Sequence, residues 1–324
     1  MSGFLEVSVV MSVYNGASTL PATMDSILSQ EDVELEFIVV NDGSTDETGE
    51  ILEAYARRDS RVRVIHQENT GLTRALIRGC AAASGEFIAR QDAGDVSRAG
   101  RLATQANVLR TSPNVVMTSC GTQFVGPGSE FLYEVCQFGD ELHRGLQCVD
   151  FAQVYGPSSH PSVMFRRAAY EKVGGYRAQF AVAQDLDLWM RLAELGRCWG
   201  IPEVLCERRL DKNSISGLRR HEQIRSTKLI VKCAAVRRSG RDDVFLVANL
   251  KQFMWTSLFW RWLPRRFHEA KFYYFVGSML RHRQPKQAQR YFWRAVAAWF
   301  PYPRAWYRIL SSPVRGEPLE SQNN

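Results

Sequence analysis

The chain has 324 residues, 45% of them hydrophobic and 23% charged, with a formal net charge of +7. That length fits one α/β domain of average-to-large size plus a smaller second part. Seven cysteines, Cys80, Cys120, Cys136, Cys148, Cys198, Cys206 and Cys233, are scattered, odd in number and without paired metal spacing, which suits a reducing cytoplasm; Met1 to Glu6 lacks the basic region of a secretory signal.

Val7 to Val13 is a β-rich run that ends at the turn signal Tyr14-Asn15-Gly16, and a helical stretch to Gln30 follows. Leu35 to Val40 reads as a second strand ending at Asn41-Asp42-Gly43-Ser44-Thr45-Asp46, Glu47 to Ala56 as a crossover helix, and Val62 to Ile65 as a third strand. Gly71-Leu72-Thr73-Arg74 opens a helix through Ala82, where a helix start with basic groups favours an anionic ligand; the plain alternative makes Arg74 and Arg78 a solvated helix face. Phe87-Ile88-Ala89 is a short buried strand entered after Gly85, and Ala93-Gly94 turns the chain, so Asp92 and Asp95 are expected in the loop at its carboxyl end. Strands alternating with helices imply a mostly parallel sheet with helices on both faces, whose ligands gather at the carboxyl ends of the strands. Carboxylates there suit Mg²⁺ or Mn²⁺ that also holds phosphate oxygens, or else form a solvated Asp-rich turn. Further on, His160-Pro161 reads as a loop entering a strand at Ser162 to Phe165, and Asp185 as the cap of a helix striped with Leu186, Trp189, Met190 and Ala193.

Six of these segments stand in an order that resembles family 2 glycosyltransferases of the GT-A fold. They are Val9 to Gly16, Asn41 to Asp46, Gly71 to Arg74, Asp92 to Asp95, His160 to Phe165 and Gln184 to Trp189, and the resemblance covers roughly residues 5 to 215. It implies a nucleotide-sugar donor, usually a uridine diphosphate sugar. Ser12 and Tyr14 would then hold base and ribose, Asp42 the uracil edge, Arg74 the pyrophosphate or ribose, Asp92 the donor and, with Asp95, a metal ion. It also implies that Asp185 is the general base that takes the proton of an acceptor hydroxyl. Tyr14 and Asp42 have plainer readings as a strand-end tyrosine and a turn-capping residue. His160 and the Gly174-Gly175-Tyr176 turn are given no chemistry.

Two positions depart from the family pattern. Gly94 stands where a further metal-binding carboxylate is usual, so a weaker site for Mg²⁺ or Mn²⁺ is expected. Gln184 stands where Glu commonly precedes the base, which removes a neighbouring charge that would raise the pKa of Asp185.

From Ser216 onward 21 Lys and Arg face 6 Asp and Glu, a balance of +15, while the preceding part carries −8. The natural division is therefore residues 1–215, a glycosyltransferase domain, and 216–324, a basic helical extension. That extension holds Trp255, Trp260, Trp262, Trp293, Trp299 and Trp306, with helices expected over Phe267 to Arg283 and Lys286 to Phe300. Basic residues interrupt every apolar run, so no stretch reaches the ~18–20 residues needed to span a bilayer. Such helices suit an anionic membrane surface, or packing on the first domain or a protein partner; no recognition motif accompanies the charge, which argues against nucleic acid. The combined expectation is an inverting enzyme, cytoplasmic and peripheral on the inner face of the membrane, acting on a glycan or lipid-linked acceptor. The rival is a nucleotide-sugar-binding protein that has lost turnover through Gly94 and Gln184. Sugar nucleotidyl transfer is disfavoured by the lack of a glycine-rich phosphate loop near the first strand.

Overall fold

The computed structural model describes residues 5–212, 219–249 and 265–311. Its described residues fall into two compact units, 5–210 with 219–249, and 211–212 with 265–311.

The first unit is built on β1 (Val7–Val13), which lies between β2 (Leu35–Asp42) and β4 (Phe87–Asp92), parallel to both; β3 (Val62–Gln67) extends the parallel set beyond β2. β1 is apolar almost throughout because both of its faces are covered. Val7, Val9, Met11 and Val13 enter one core with Leu20, Met24 and Ile27 of α1 (Leu20–Leu28) and Leu52 of α2 (Thr48–Arg58), whereas Val10 enters the other with Leu76 of α3 (Leu72–Ala81). Gly79 lets α3 approach closely, since a Cβ there would lie 2.7 Å from Val10 Cγ1.

Beyond β4 the strand directions mix. β8 (Val163–Arg166) runs antiparallel to β4, and β6 (Val115–Val125) antiparallel to β8; β9 (Arg197–Arg209) runs parallel to β6 and carries short β5 (Val96–Ser97), while β7 (Phe131–Val135) pairs with β6. This is the mixed α/β, GT-A architecture, with its parallel part on the side of the first three strands. Helices α4 (Arg101–Thr111), α5 (Glu141–Gln147), α6 (Arg167–Lys172) and α7 (Gln184–Ala193) cover the sheet.

Helices α8 (Arg220–Arg238) and α9 (Val244–Ala248) belong to this unit, beyond the division drawn at residue 215 from charge. Leu229, Ile230, Cys233, Ala234 and Val247 join the core that contains Leu188 and Trp189. Arg237 adds ion pairs to Asp243 at 2.6 Å and Glu194 at 2.8 Å, and Arg177 pairs with Asp243 at 2.7 Å. Net charge could not reveal this, because Arg237 and Arg238 of α8 pair with Glu194 of the preceding segment and Arg237 with Asp243 just after the helix.

The second unit comprises α10 (Arg265–Leu280), α11 (Pro285–Ala298) and α12 (Pro303–Ser311), in accord with the two helices read around Gln284-Pro285. α10 and α11 form a hairpin that closes at Gly277, where a Cβ would lie 2.8 Å from Phe292. Trp255, Trp260 and Trp262 lie outside the described residues. Among the described residues no helix is long and apolar enough to cross a membrane.

Arg101 is a fully buried cation held by neutral acceptors: Nη1 donates to Gln91 Oε1 at 2.9 Å and Ser97 Oγ at 2.6 Å, Nη2 to the Arg90 carbonyl at 2.7 Å, and Nε to Gln105 Oε1 at 3.1 Å. Arg101→Met strands these acceptors without water. It is expected to cost about 3 kcal/mol or more of unfolding free energy, read from the urea midpoint.

Candidate active site

The parallel strands end together along one edge. Ser12 registers with Val40 on one side and Asp92 on the other, and Tyr14, just past β1, is 53% exposed there. Asp92 is the last residue of β4 and not a loop residue as expected; pairing with Ser12 and an ion pair to Arg90 keep it in the strand.

Asp42, at the end of β2, is buried and ties two elements together. Its Oδ1 accepts from Gln67 Nε2 at 2.6 Å and from the Thr70 N–H at 2.9 Å, and Oδ2 accepts from the Gly71 N–H at 2.9 Å. It does not cap its own turn: Asn41 Oδ1 accepts from the Ser44 N–H at 3.1 Å instead, and Asp46 accepts from the Thr48 N–H at 3.1 Å. Asp42 therefore fixes the start of α3, whose first turn carries the exposed Arg74. One carboxylate oxygen, Oδ2, keeps a lone pair for a further donor.

Asp92 and Asp95 are brought together by the turn in which the Asp95 N–H donates to the Asp92 carbonyl at 3.2 Å. Gly94 sits there at φ +97°, a conformation that strains any residue with a Cβ. The usual third carboxylate is thus replaced by the residue that this turn geometry favours. Burial, and then the charge of Asp92, push the Asp95 carboxyl well above the usual carboxylate range, although the Arg209 N–H donates to its Oδ1 at 3.2 Å. Burial would also raise Asp92, but the charge of Arg90 above all, with Arg208 and Arg101, holds it below the usual range. Among the described residues no three His, Cys, Asp or Glu side chains converge as a ready metal cage. Two hard oxygen ligands with one carboxyl buried beside another's charge nevertheless suit Mg²⁺ or Mn²⁺ whose remaining positions go to phosphate and water.

Arg90 carries the link from this edge to the far side of the site. Its fully buried guanidinium donates through Nη2 to Asp92 Oδ1 at 2.8 Å, through Nε to His160 Nε2 at 3.3 Å, and through Nη1 to the Val10 carbonyl. His160 opens a 3-10 turn, His160–Ser162, that leads into β8; because β8 runs antiparallel to β4, this turn lies alongside Arg90. Burial, then the charge of Arg90, lowers the His160 pKa to about 4, so its ring is neutral at pH 7 and accepts from Arg90. Tyr176, kept as a phenol chiefly by burial, meets the same ring nitrogen at 2.8 Å.

Asp185 lies in the first turn of α7 and not at its cap. The cap is Ala183, a non-glycine residue at φ +58°, and Asp185 Oδ1 accepts from the Leu186 N–H at 2.9 Å. The charge of Asp185 acts on both His160 and Tyr176. The segment before it is tied to α3 by Thr73 Oγ1, which donates to the Phe180 carbonyl at 2.8 Å. Two turns of α7 are then locked by Asp187, buried against Arg191 at 2.6 Å.

All seven residues singled out in the sequence thus fall on the strand-end edge or on helix starts beside it. Arg90, Tyr176 and Arg208 were missed. A charged residue inside the Phe87-to-Gln91 strand was the available signal for Arg90, whereas Arg208 reaches Asp95 only because β9 pairs with β5.

The glycosyl transferase family 2 model matches residues 8–174, just over half of the chain. The chain belongs to glycosyl transferase family 2. Similar proteins include the putative glycosyltransferase EpsE of Bacillus subtilis, 33% identical over 64% of this chain and 74% of EpsE, and an uncharacterized glycosyltransferase of Haemophilus influenzae, 27% identical over 69% and 71%. Among solved structures, Staphylococcus aureus TarS 1-349 in complex with UDP aligns with a TM-score of 0.53 over 94% of this chain and 89% of that one, at 14% identity. The mannosyltransferase PcManGT of Pyrobaculum calidifontis, in complex with GDP-Man and Mn²⁺, aligns with a TM-score of 0.53 over 96% and 88%, at 18% identity. The match to the family model covers β1 through α6, so in this family 2 glycosyltransferase it does not extend to Asp185 or the Gln184-to-Trp189 segment of α7.

His160 also sets a dependence on acid. Its folded pKa of about 4 lies below its ordinary 6.5, so the unfolded chain binds the extra proton and stability falls as pH drops from about 6.5 through about 4. Between pH 7 and 4.5 this loss is about 2 kcal/mol. Urea unfolding should therefore show the penalty of His160→Gln shrinking by about that amount at pH 4.5.

Proposed function

We propose that the protein is an inverting glycosyltransferase that moves a sugar from a uridine diphosphate donor to a hydroxyl of a glycan or lipid-linked acceptor, in assembly of a cell-surface polysaccharide or glycolipid. The observation that carries this reading is the connected set Asp92, Arg90, His160 and Tyr176, which leads from the strand-end carboxylates towards α7, whose Trp189 ring meets His160 edge-on at 5.9 Å and whose Asp185 acts by its charge on His160 and Tyr176. Ser12, Tyr14 and Asp42 are assigned to the base and ribose, and Arg74, exposed on the first turn of α3, to the diphosphate, where a helix start and a cation act together.

The acceptor oxygen attacks the anomeric carbon from the face opposite the nucleotide, and Asp185 takes its proton. The bond from that carbon to the diphosphate oxygen breaks, and the nucleotide leaves with the electron pair. Asp92 and Asp95 would hold Mg²⁺ or Mn²⁺, which when bound supplies positive charge against the departing diphosphate. Arg90 keeps Asp92 ionised and aimed along the edge, and Arg208 adds a second cation near both carboxylates.

A positioned base contributes about 10²–10⁴-fold. Asp185→Asn is therefore expected to lower the transfer rate by that factor while donor affinity, measured by calorimetry, stays nearly constant. Unchanged turnover would remove Asp185 from the mechanism, and absence of transfer from the unaltered chain with every donor and acceptor tried would favour the binding-protein reading. In a screen of nucleotide-sugars with and without Mn²⁺, uridine diphosphate sugars should bind most tightly; equal affinity for guanosine diphosphate sugars would overturn the donor assignment.

A further inference from the structure

The surface of the helical unit has a chemistry that transfer does not require. From Lys271 to Ser311 the chain carries eight Lys and Arg and no Asp or Glu. On α11 the exposed positions Lys286, Arg290, Trp293, Arg294 and Ala297 follow one helical stripe, while Ala288, Tyr291, Phe292, Ala295 and Val296 are buried behind it. On α12 Ala305 and Ile309 point inward, so Tyr307 and Leu310 occupy the outward face, with Arg304 and Arg308 on one flank and Trp306 on the other.

The aromatic residues of this surface form a cluster. Trp306 meets Trp293 edge-on at 5.8 Å and Phe300 at 5.5 Å, and its Nε1 donates to the Phe300 carbonyl at 2.8 Å. Trp293 is 48% exposed, Phe300 71% and Leu310 80%. Large apolar side chains left this open within an all-basic surface are unusual for a face turned only to water. On the Arg304 flank of α12 a shallow cavity of about 350 Å³ is lined by Tyr274, Pro303, Arg304, Tyr307 and Arg308.

We propose that α11 and α12 form a docking surface for an anionic lipid bilayer, with Trp293, Phe300, Trp306 and Leu310 entering the interfacial layer and Arg290, Arg294 and Arg304 meeting lipid phosphates. The charge complementarity is one-sided over the whole segment, and indole rings favour the boundary between headgroups and acyl chains. A short amphipathic helix ringed by arginines lies in that plane and does not cross it. This surface shares no residue with the proposed donor site, so its test stands apart from that of the transfer reaction.

The test uses the full chain and sedimentation with vesicles of phosphatidylcholine, alone or mixed with phosphatidylglycerol. Binding is expected to the mixed vesicles, to be weak to the neutral ones, and to fall with salt as the Debye length shortens to about 10 Å at 0.1 M. Each arginine replaced by glutamine should lower partitioning roughly fivefold, so Arg290→Gln with Arg294→Gln and Arg304→Gln together should lower it by about 10²-fold. Trp293→Ser with Phe300→Ser should abolish it while the far-ultraviolet circular dichroism stays unchanged. Should that variant lose helix, quenching of the unaltered protein's tryptophan fluorescence by brominated lipid still decides the matter, and absence of quenching overturns the proposal. Equal binding to neutral vesicles also overturns it, as does a chain that dimerises through this face and ignores lipid.

Discussion

The site depends on a buried guanidinium. Arg90 is fully buried within β4, and it is tolerated because three groups from three different segments satisfy it: Asp92 on its own strand, the Val10 carbonyl on β1 and His160 ahead of β8. Desolvating a cation is expensive unless its partners are in place, so the cation selects a single arrangement of those segments. Its charge holds Asp92 ionised and adds to the burial that keeps His160 neutral. Arg101 performs a similar office one layer away, gathering Gln91, Ser97 and Gln105.

Much of the first half could be read from the sequence because its signals are local. Alternation of β-branched runs with helical periods, punctuated by Asn-Asp-Gly-Ser and Gly-Leu-Thr-Arg, locates β1 to β4 to within a few residues, and the ligand edge follows from the parallel topology. What remained hidden is non-local. Nothing near Asp42 in sequence shows that its carboxylate reaches Thr70 and Gly71, and nothing near Asp95 announces Arg209. The junction of α8 with α7 was hidden for the same reason, since its ion pairs join residues 177, 194, 237 and 243.

Gly94 illustrates how a departure from a family pattern acquires a physical meaning. With φ at +97° the position is committed to the turn that brings Asp95 back towards Asp92, and its N–H is held by Thr23 Oγ1 at 3.0 Å. Thr23 also donates to the Asp95 carbonyl at 2.9 Å, so α1 braces the turn from behind. Hydrogen bonds thus fix the geometry of this turn, in which Gly94 brings no charge.

Ala183 has a wider implication. An alanine kept in the left-handed region is there because its surroundings, and not its own preference, dictate the backbone. Those surroundings include the Phe180 carbonyl anchored by Thr73, itself next to Arg74 on the helix start that Asp42 fixes. The two halves of the site are therefore not interchangeable cassettes: a helix grafted from a relative in place of α7 would arrive without the anchors that set its first turn, so under the proposed role of Asp185 any exchange of α7 has to be made together with the α3 start that holds it.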